Sequence, residues 1–306
     1  MNMRRTTTWT RFTQAAALCT ALLAFTSCCE KRLYTHEELY GSTLTLRASW
    51  QGNPTADALM VEAVSQTSRV EHSETLTLPA TGTATTVMPE ARYLLTATHE
   101  AENLSFDGTA FCLTPGADGL LPAPGDLSVA QEEVEVVAQQ TTSFSLPMRR
   151  LTRTLSLRFS LGAESAAEVT GMEVRISGMA SSISLVGDNR TATGAGTIAV
   201  PMSQSGTGAA GGVVYAGTTL TLGTFPGMQQ YMSVTVHLAD GTDFTTGMDV
   251  QRQLAALNGT VQGTFQMDFG LYAAGKPGND MDFTIGPWED GGGDDGDAGM
   301  EIPDGQ

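Results

Sequence analysis

Four cysteines and four histidines hold most of the reactive chemistry that this 306-residue chain could offer. The histidines, His36, His72, His99 and His237, are far apart, and no two stand at metal-ligand spacing. His237 alternates outward on a strand-like run and reads as an ordinary solvated side chain. No His-Glu-x-x-His, Cys-x-x-Cys, Gly-x-Ser-x-Gly or phosphate-loop pattern occurs. Cys112, in Ala110-Phe111-Cys112-Leu113, has no neighbouring base and reads as a buried small hydrophobe rather than a nucleophile. The expectation is a protein that is not an enzyme and has no cofactor or resident metal. Asp290, Asp294, Asp295 and Asp297 are the oxygen ligands a calcium ion would take, but the closing Glu of an EF-hand loop is missing. They read instead as part of a disordered Gly/Asp tail.

The N-terminus carries chemistry of another kind. Arg4, Arg5 and Arg11 precede the apolar run 15–25 (AAALCTALLAF), which has the length of a signal-peptide core and is too short to span a bilayer. It ends in Phe25-Thr26-Ser27-Cys28-Cys29. A small residue followed directly by cysteine resembles a bacterial lipoprotein signal, in which the cysteine is acylated on sulfur and becomes the new N-terminus. Cys28 is the expected acceptor and Cys29 the reserve, with membrane lipid as the partner. An ordinary secretory signal with incidental cysteines is the alternative. With Cys19 removed and Cys28 acylated, only Cys29 and Cys112 remain, which excludes a disulfide framework.

Charge narrows the partners further. The chain has 16 Lys+Arg against 33 Asp+Glu, a net charge of −17, and phosphate contacts need clustered bases, so no nucleic acid is expected. Residues 1–27 hold three arginines and no acid, so the mature chain carries 13 bases against 33 acids, or −20. Hydrophobic content of 41% and mean hydropathy of −0.06 exclude a polytopic membrane protein and a fully disordered one.

The elements that must position any site read as β throughout. Leu44, Leu46, Ala48 and Trp50 share one face of a strand; Leu151, Leu155, Leu157, Phe159 and Leu161 share another. Arg153 breaks that second face, as charges do on edge strands. Met172, Val174 and Ile176 form a further face, as do Met232, Val234, Val236 and Leu238, with a hairpin turn at Asp240-Gly241. Val261, Phe265, Met267 and Phe269 form another, and Met281, Phe283 and Ile285 one more. One short helix is expected over 249–257, with Asp249 as N-cap and Asn258-Gly259 as its stop. Many short strands without strand–helix alternation predict an all-β chain of antiparallel sandwiches.

Length favours two of them. The predicted organisation is a signal peptide at 1–27, a lipidated linker at 28–41, sandwiches at 42–147 and 148–288, and the acidic tail at 289–306. The break is placed at Ser145-Leu146-Pro147-Met148, where proline interrupts strand-like sequence. Leu155-Ser156-Leu157-Arg158 echoes Leu44-Thr45-Leu46-Arg47, a match that two Leu-rich strands also produce by chance. Pro115-Gly116, 122–125 and 206–212 read as loops. Arg149, Arg150, Arg153 and Arg158 form the one basic cluster, either a hold for an acidic partner or a seam between domains. Trp50 and Trp288 read as core anchors rather than exposed ligand platforms.

Four stretches also carry a likeness to a known family. They are Cys28-Cys29-Glu30-Lys31-Arg32-Leu33-Tyr34, the strand ending in Trp50, Arg150 through Ser177-Gly178-Met179-Ala180, and Ile285-Gly286-Pro287-Trp288. In order and spacing the chain resembles the Bacteroidetes fimbrillin superfamily, in particular its FimB-type fimbrial anchor lipoproteins and the related Bacteroides lipoproteins. The resemblance implies two tandem transthyretin-like sandwiches, lipid anchoring at the outer membrane, and fimbrial subunits joined by strand addition. It implies an anchor that keeps its N-terminal strand because the lipid is attached there. A surface glycan-binding β-sandwich lipoprotein of a carbohydrate uptake system is the alternative function.

Overall fold

The computed structural model describes residues 42–163, 168–185, 191–207, 212–259, 264–276 and 279–287. Cys28, Cys29, His36, Val261, Trp288, the linker and the acidic tail lie outside the described residues. Among those described, no helix is long and apolar enough to cross a membrane.

The first half of the chain supplies β1 (Ser42–Trp50), β2 (Ala58–Ser65), β3 (Ser73–Pro79), β4 (Thr83–Met88), β5 (Ala91–Thr98), β6 (Leu104–Phe106), β7 (Ala110–Leu113), β8 (Leu120–Leu121), β9 (Ser128–Val136) and β10 (Thr141–Arg150). Seven of them form a sheet in the order β3-β2-β5-β9-β10-β1-β4. The period-2 pattern dictates which side is buried: Leu59, Val61 and Ala63 of β2 point inward, while Met60, Glu62 and Val64 face solvent. Leu44, Leu46, Tyr93, Leu95, Leu146 and Met148 complete this first core. The ladder between β9 and β10 is only two residues long, Val129 and Ser128 against Arg149 and Arg150. The long sheet is therefore hinged there, with β3-β2-β5-β9 on one side and β10-β1-β4 on the other.

The second half supplies β11 (Arg153–Leu161), β12 (Val169–Ser184), β13 (Thr191–Pro201), β14 (Ser203–Thr207), β15 (Val213–Thr221), β16 (Tyr231–Leu238), β17 (Asp243–Asp249), β18 (Thr264–Lys276) and β19 (Asn279–Pro287). One sheet has the order β14-β15-β11-β18-β19, and the other runs β17-β16-β12-β13-β8. Leu155, Leu157 and Phe159 of the first meet Val174, Ile176, Val234 and Val236 of the second in one core. Phe159 and Phe269 stack within it, ring centres 5.2 Å apart.

Several expectations change. The sheets are mixed, because β1 pairs with β10, β11 with β18, and β13 with β8 in parallel. Alternation encodes which face is buried but not strand direction, so this was not legible. Pro147 does not interrupt a strand: β10 runs through it, paired to β1 alone until its ladder to β9 begins at Arg149. A strand with one open side tolerates proline. The chain leaves β10 instead at Leu151 and Thr152. Arg153 is no edge device either, since β11 lies centrally between β15 and β18. The helix shrinks to α1 (Gln251–Leu254) and a 3-10 turn at Leu257–Gly259. Asp249 ends β17, and its Oδ1 still accepts the Gln251 N–H at 2.8 Å. Gly206 and Thr207, expected in a loop, close β14. Cys112 is half-buried on β7 rather than buried, and burial, then the charge of Asp107, pushes its thiol up.

Strands β7 and β8 precede residue 147 yet pair with the second half, and β6 follows as the hairpin partner of β7. Ser182, Ile183 and Ser184 of β12 align with Cys112, Phe111 and Ala110 of β7, and Thr197 and Ile198 of β13 with Leu120 and Leu121 of β8. Phe111, Leu113, Leu121, Leu127 and Val129 accordingly belong to the second core.

Candidate functional site

Among the described residues, sheet edges and the join between the two cores carry the most distinctive geometry. The first of the described strands, β1, is enclosed. It pairs with β10 from Thr43 to Trp50 and with β4 from Ser42 to Arg47. Trp50 donates its Nε1–H to the Ala80 carbonyl at 2.8 Å and packs against the first core, as a core anchor does. At the other end of the chain, β19 pairs with β18 from Phe269 to Lys276, and no second partner strand appears among the described residues. Ile285 of β19 packs against the second core.

The join is polar and closely bonded. Asp126 Oδ1 accepts the Arg150 Nε–H at 2.6 Å and the Thr152 hydroxyl at 2.9 Å. Thr152, fully buried, accepts the Leu127 N–H at 3.1 Å, while the Leu151 N–H reaches the Leu127 carbonyl at 2.8 Å. His99 braces the same strand from the other side. Its Nε2 accepts the Ser128 N–H at 3.0 Å, which fixes the proton on Nδ1, and Nδ1–H donates to the Glu100 carbonyl at 2.9 Å. The Thr55 hydroxyl completes the set at 3.0 Å from Nε2.

The basic cluster divides accordingly. Arg150 meets Asp126, and Arg158 lies 3.9 Å from Asp268 of β18. Among the described residues Arg153 meets no carboxylate: its guanidinium donates to the carbonyls of Leu151 and Asn258, and burial lowers its pKa. Arg149 is exposed. Three of the four arginines thus serve the seam or the sheet beside it. His237 points outward as expected and lies 2.7 Å from Asp243. His72 sits 3.5 Å from Glu74 and edge-on to Tyr93. No metal-binding cluster occurs among the described residues. Sequence reading met His99 only as one of four separated histidines and gave no role to Asp126 or Thr152, since none belongs to a motif; Asp126 directly after a Pro-Gly loop was the one available sign.

Sheets joined this way define, for the described residues, an all-β protein built of several sheets. Residues 89–290 match the family described as "Mfa2: Fimbrillin-A associated anchor proteins Mfa1 and Mfa2", and the chain belongs to that family. Among solved structures, the fimbrial anchor protein Mfa2 from Porphyromonas gingivalis is similar at 15% identity and a TM-score of 0.52, covering 80% of this chain and 97% of that one. An adhesin-like protein from Bacteroides ovatus matches with a TM-score of 0.54 and 12% identity, over 74% of this chain and 88% of its own. Another from Bacteroides thetaiotaomicron matches with 0.51 and 12%, over 81% and 97%. No curated protein sequence matches.

Proposed function

We propose that this protein is a lipid-anchored structural component of the cell envelope, a fimbrial anchor or accessory subunit that engages fimbrial subunits by β-strand addition. The observation that carries this reading is the match to the anchor family over residues 89–290. In this reading Cys28 bears the acyl chains, with Cys29 in reserve, and outer-membrane lipid holds the protein at the surface. In this reading the two cores mark tandem transthyretin-like sandwiches over 42–147 and 148–288, the first lending Phe111, Leu113, Leu121, Leu127 and Val129 to the core of the second, and the acidic tail follows.

The position of β1 supports a load-bearing role. Any pull on an anchored N-terminus passes into β1, which is laddered on both sides, so tension must shear two sets of backbone hydrogen bonds. Strand addition calls for an open edge, where unpaired N–H and C=O groups accept a new strand. The β19 edge is the strand-like end of the chain suited to it.

Capture of a fimbrial subunit by the purified full chain tests the proposal. The intact protein retains the subunit, and replacing 279–287 with a Gly/Ser linker abolishes or sharply reduces retention. Failure of the intact chain to capture any subunit, with retention of a polysaccharide instead, overturns the anchor reading in favour of the glycan-binding alternative.

A further inference from the structure

The outer face of β2 and β5 is not flat. The β6–β7 hairpin rises beside it and encloses a cleft of about 460 Å³, within the size range of ligand sites. Met60, Glu62, His99, Glu100, Phe106 and Phe111 are among its lining residues, and no Lys or Arg lines it. Phe106 is 38% exposed and stacks on the buried Phe111, ring centres 4.6 Å apart and 27° from parallel. The hairpin that presents Phe106 is held by Asp107, whose Oδ1 accepts the N–H groups of Thr109 and Ala110 at 2.8 and 2.7 Å.

Two carboxylates stand in this aromatic setting. Glu62 and Glu100 are both exposed, and neither makes an ion pair among the described residues. His99 cannot serve them, because both its ring nitrogens are engaged by Ser128, Thr55 and the Glu100 carbonyl. A neutral ligand covering the cleft would strip water from two carboxylates without supplying a charge. A cation on an apolar stem would meet both needs. Guanidinium fits best, since it stacks on an aromatic face and pairs with carboxylate through its planar fork, and its methylenes suit Met60 and Leu104.

We infer that the cleft between β2, β5 and the β6–β7 hairpin is a docking site for an arginine side chain of a partner polypeptide. Phe106 forms its stacking face, and Glu62 and Glu100 are its counter-charges. This goes beyond strand addition and uses none of the edges invoked for it.

Fluorescence anisotropy of the full chain with fluorescein-labelled Gly-Leu-Arg-Gly amide tests the inference. The matched peptide with citrulline in place of arginine keeps the shape and removes the charge. The arginine peptide binds, and the citrulline peptide binds about tenfold more weakly, the loss expected when an ion pair and a cation–π contact go together. Glu62→Gln and Phe106→Ser each weaken arginine-peptide binding about three- to fivefold. Both side chains are exposed, and an unchanged melting temperature verifies folding; the citrulline comparison stands even if a variant misfolds. No binding, equal binding of the two peptides, or competition by a neutral oligosaccharide with no response to Glu62→Gln overturns the inference.

Discussion

Arg150 Nε lies 2.6 Å from Asp126 Oδ1, across the point where β10 ends and the chain turns into β11. The same carboxylate oxygen takes the Thr152 hydroxyl, and Thr152 takes the Leu127 N–H, so one acid ties the chain entering β9 to the chain leaving β10. The two cores meet at this point, since Leu127, Val129 and Leu151 belong to the second and Met148 to the first.

Replacing Asp126 by alanine removes a charge-assisted bond and takes away the acceptor of the buried Thr152 O–H, which keeps only the Leu127 N–H. The expected loss is about 1–3 kcal/mol. Asp126→Asn, which keeps a carbonyl acceptor, loses less. Urea unfolding of the three proteins checks the order.

Gly178 sits in the bulge of β12 with φ +72°, a left-handed conformation that favours glycine. A Cβ there would stand 2.6 Å from the Gln229 carbonyl oxygen. Its own carbonyl accepts the Phe225 N–H at 2.9 Å and the Gln230 side chain at 3.2 Å. Gly178→Ala is therefore expected to destabilise by about 2–4 kcal/mol, combining strain with a backbone clash. Thermal melting measures it, and Gly241→Ala, where a Cβ meets nothing within 4 Å, gives the cost of positive φ alone.

Backbone N–H donors from Thr109 and Ala110 hold Asp107 below the ordinary carboxylate value of 3.8. A depressed folded pKa means the hairpin gains stability above the unfolded value and loses it as pH falls through the folded one. Protection of the Ala110 amide from hydrogen exchange is expected to be flat at neutral pH and to fall below 3.8. Asp107→Asn is expected to flatten that fall.

Alternation made most of the fold legible. Leu155, Leu157, Phe159 and Leu161 are all buried, as are Met172, Val174 and Ile176 and the Met232–Leu238 face, and the all-β class follows from them. The echo between Leu44–Arg47 and Leu155–Arg158 acquires a physical sense: β1 and β11 occupy equivalent places, each parallel to a late strand of its half. Strand direction and the excursion of β6–β8 into the second core were not legible, because local patterning does not report which distant strand completes a sheet. The seam was half visible. Its arginines stand together in sequence, whereas Asp126 and His99 reach it only through folding. The cleft was invisible for the same reason, since Glu62, Glu100 and Phe106 come from separate segments that no local pattern connects.

In the proposed function Cys28 tethers fimbrial material to the membrane, and its acylation is directly measurable. Cells expressing the wild-type chain or Cys28→Ala are labelled with an alkyne palmitate analogue, and fimbrial subunit is quantified on cells and in the medium. Cys28→Ala is expected to lose the label and leave the membrane fraction while fimbrial subunit shifts into the medium. A Cys28→Ala protein that stays labelled and membrane-bound, with fimbriae retained on the cells, contradicts it.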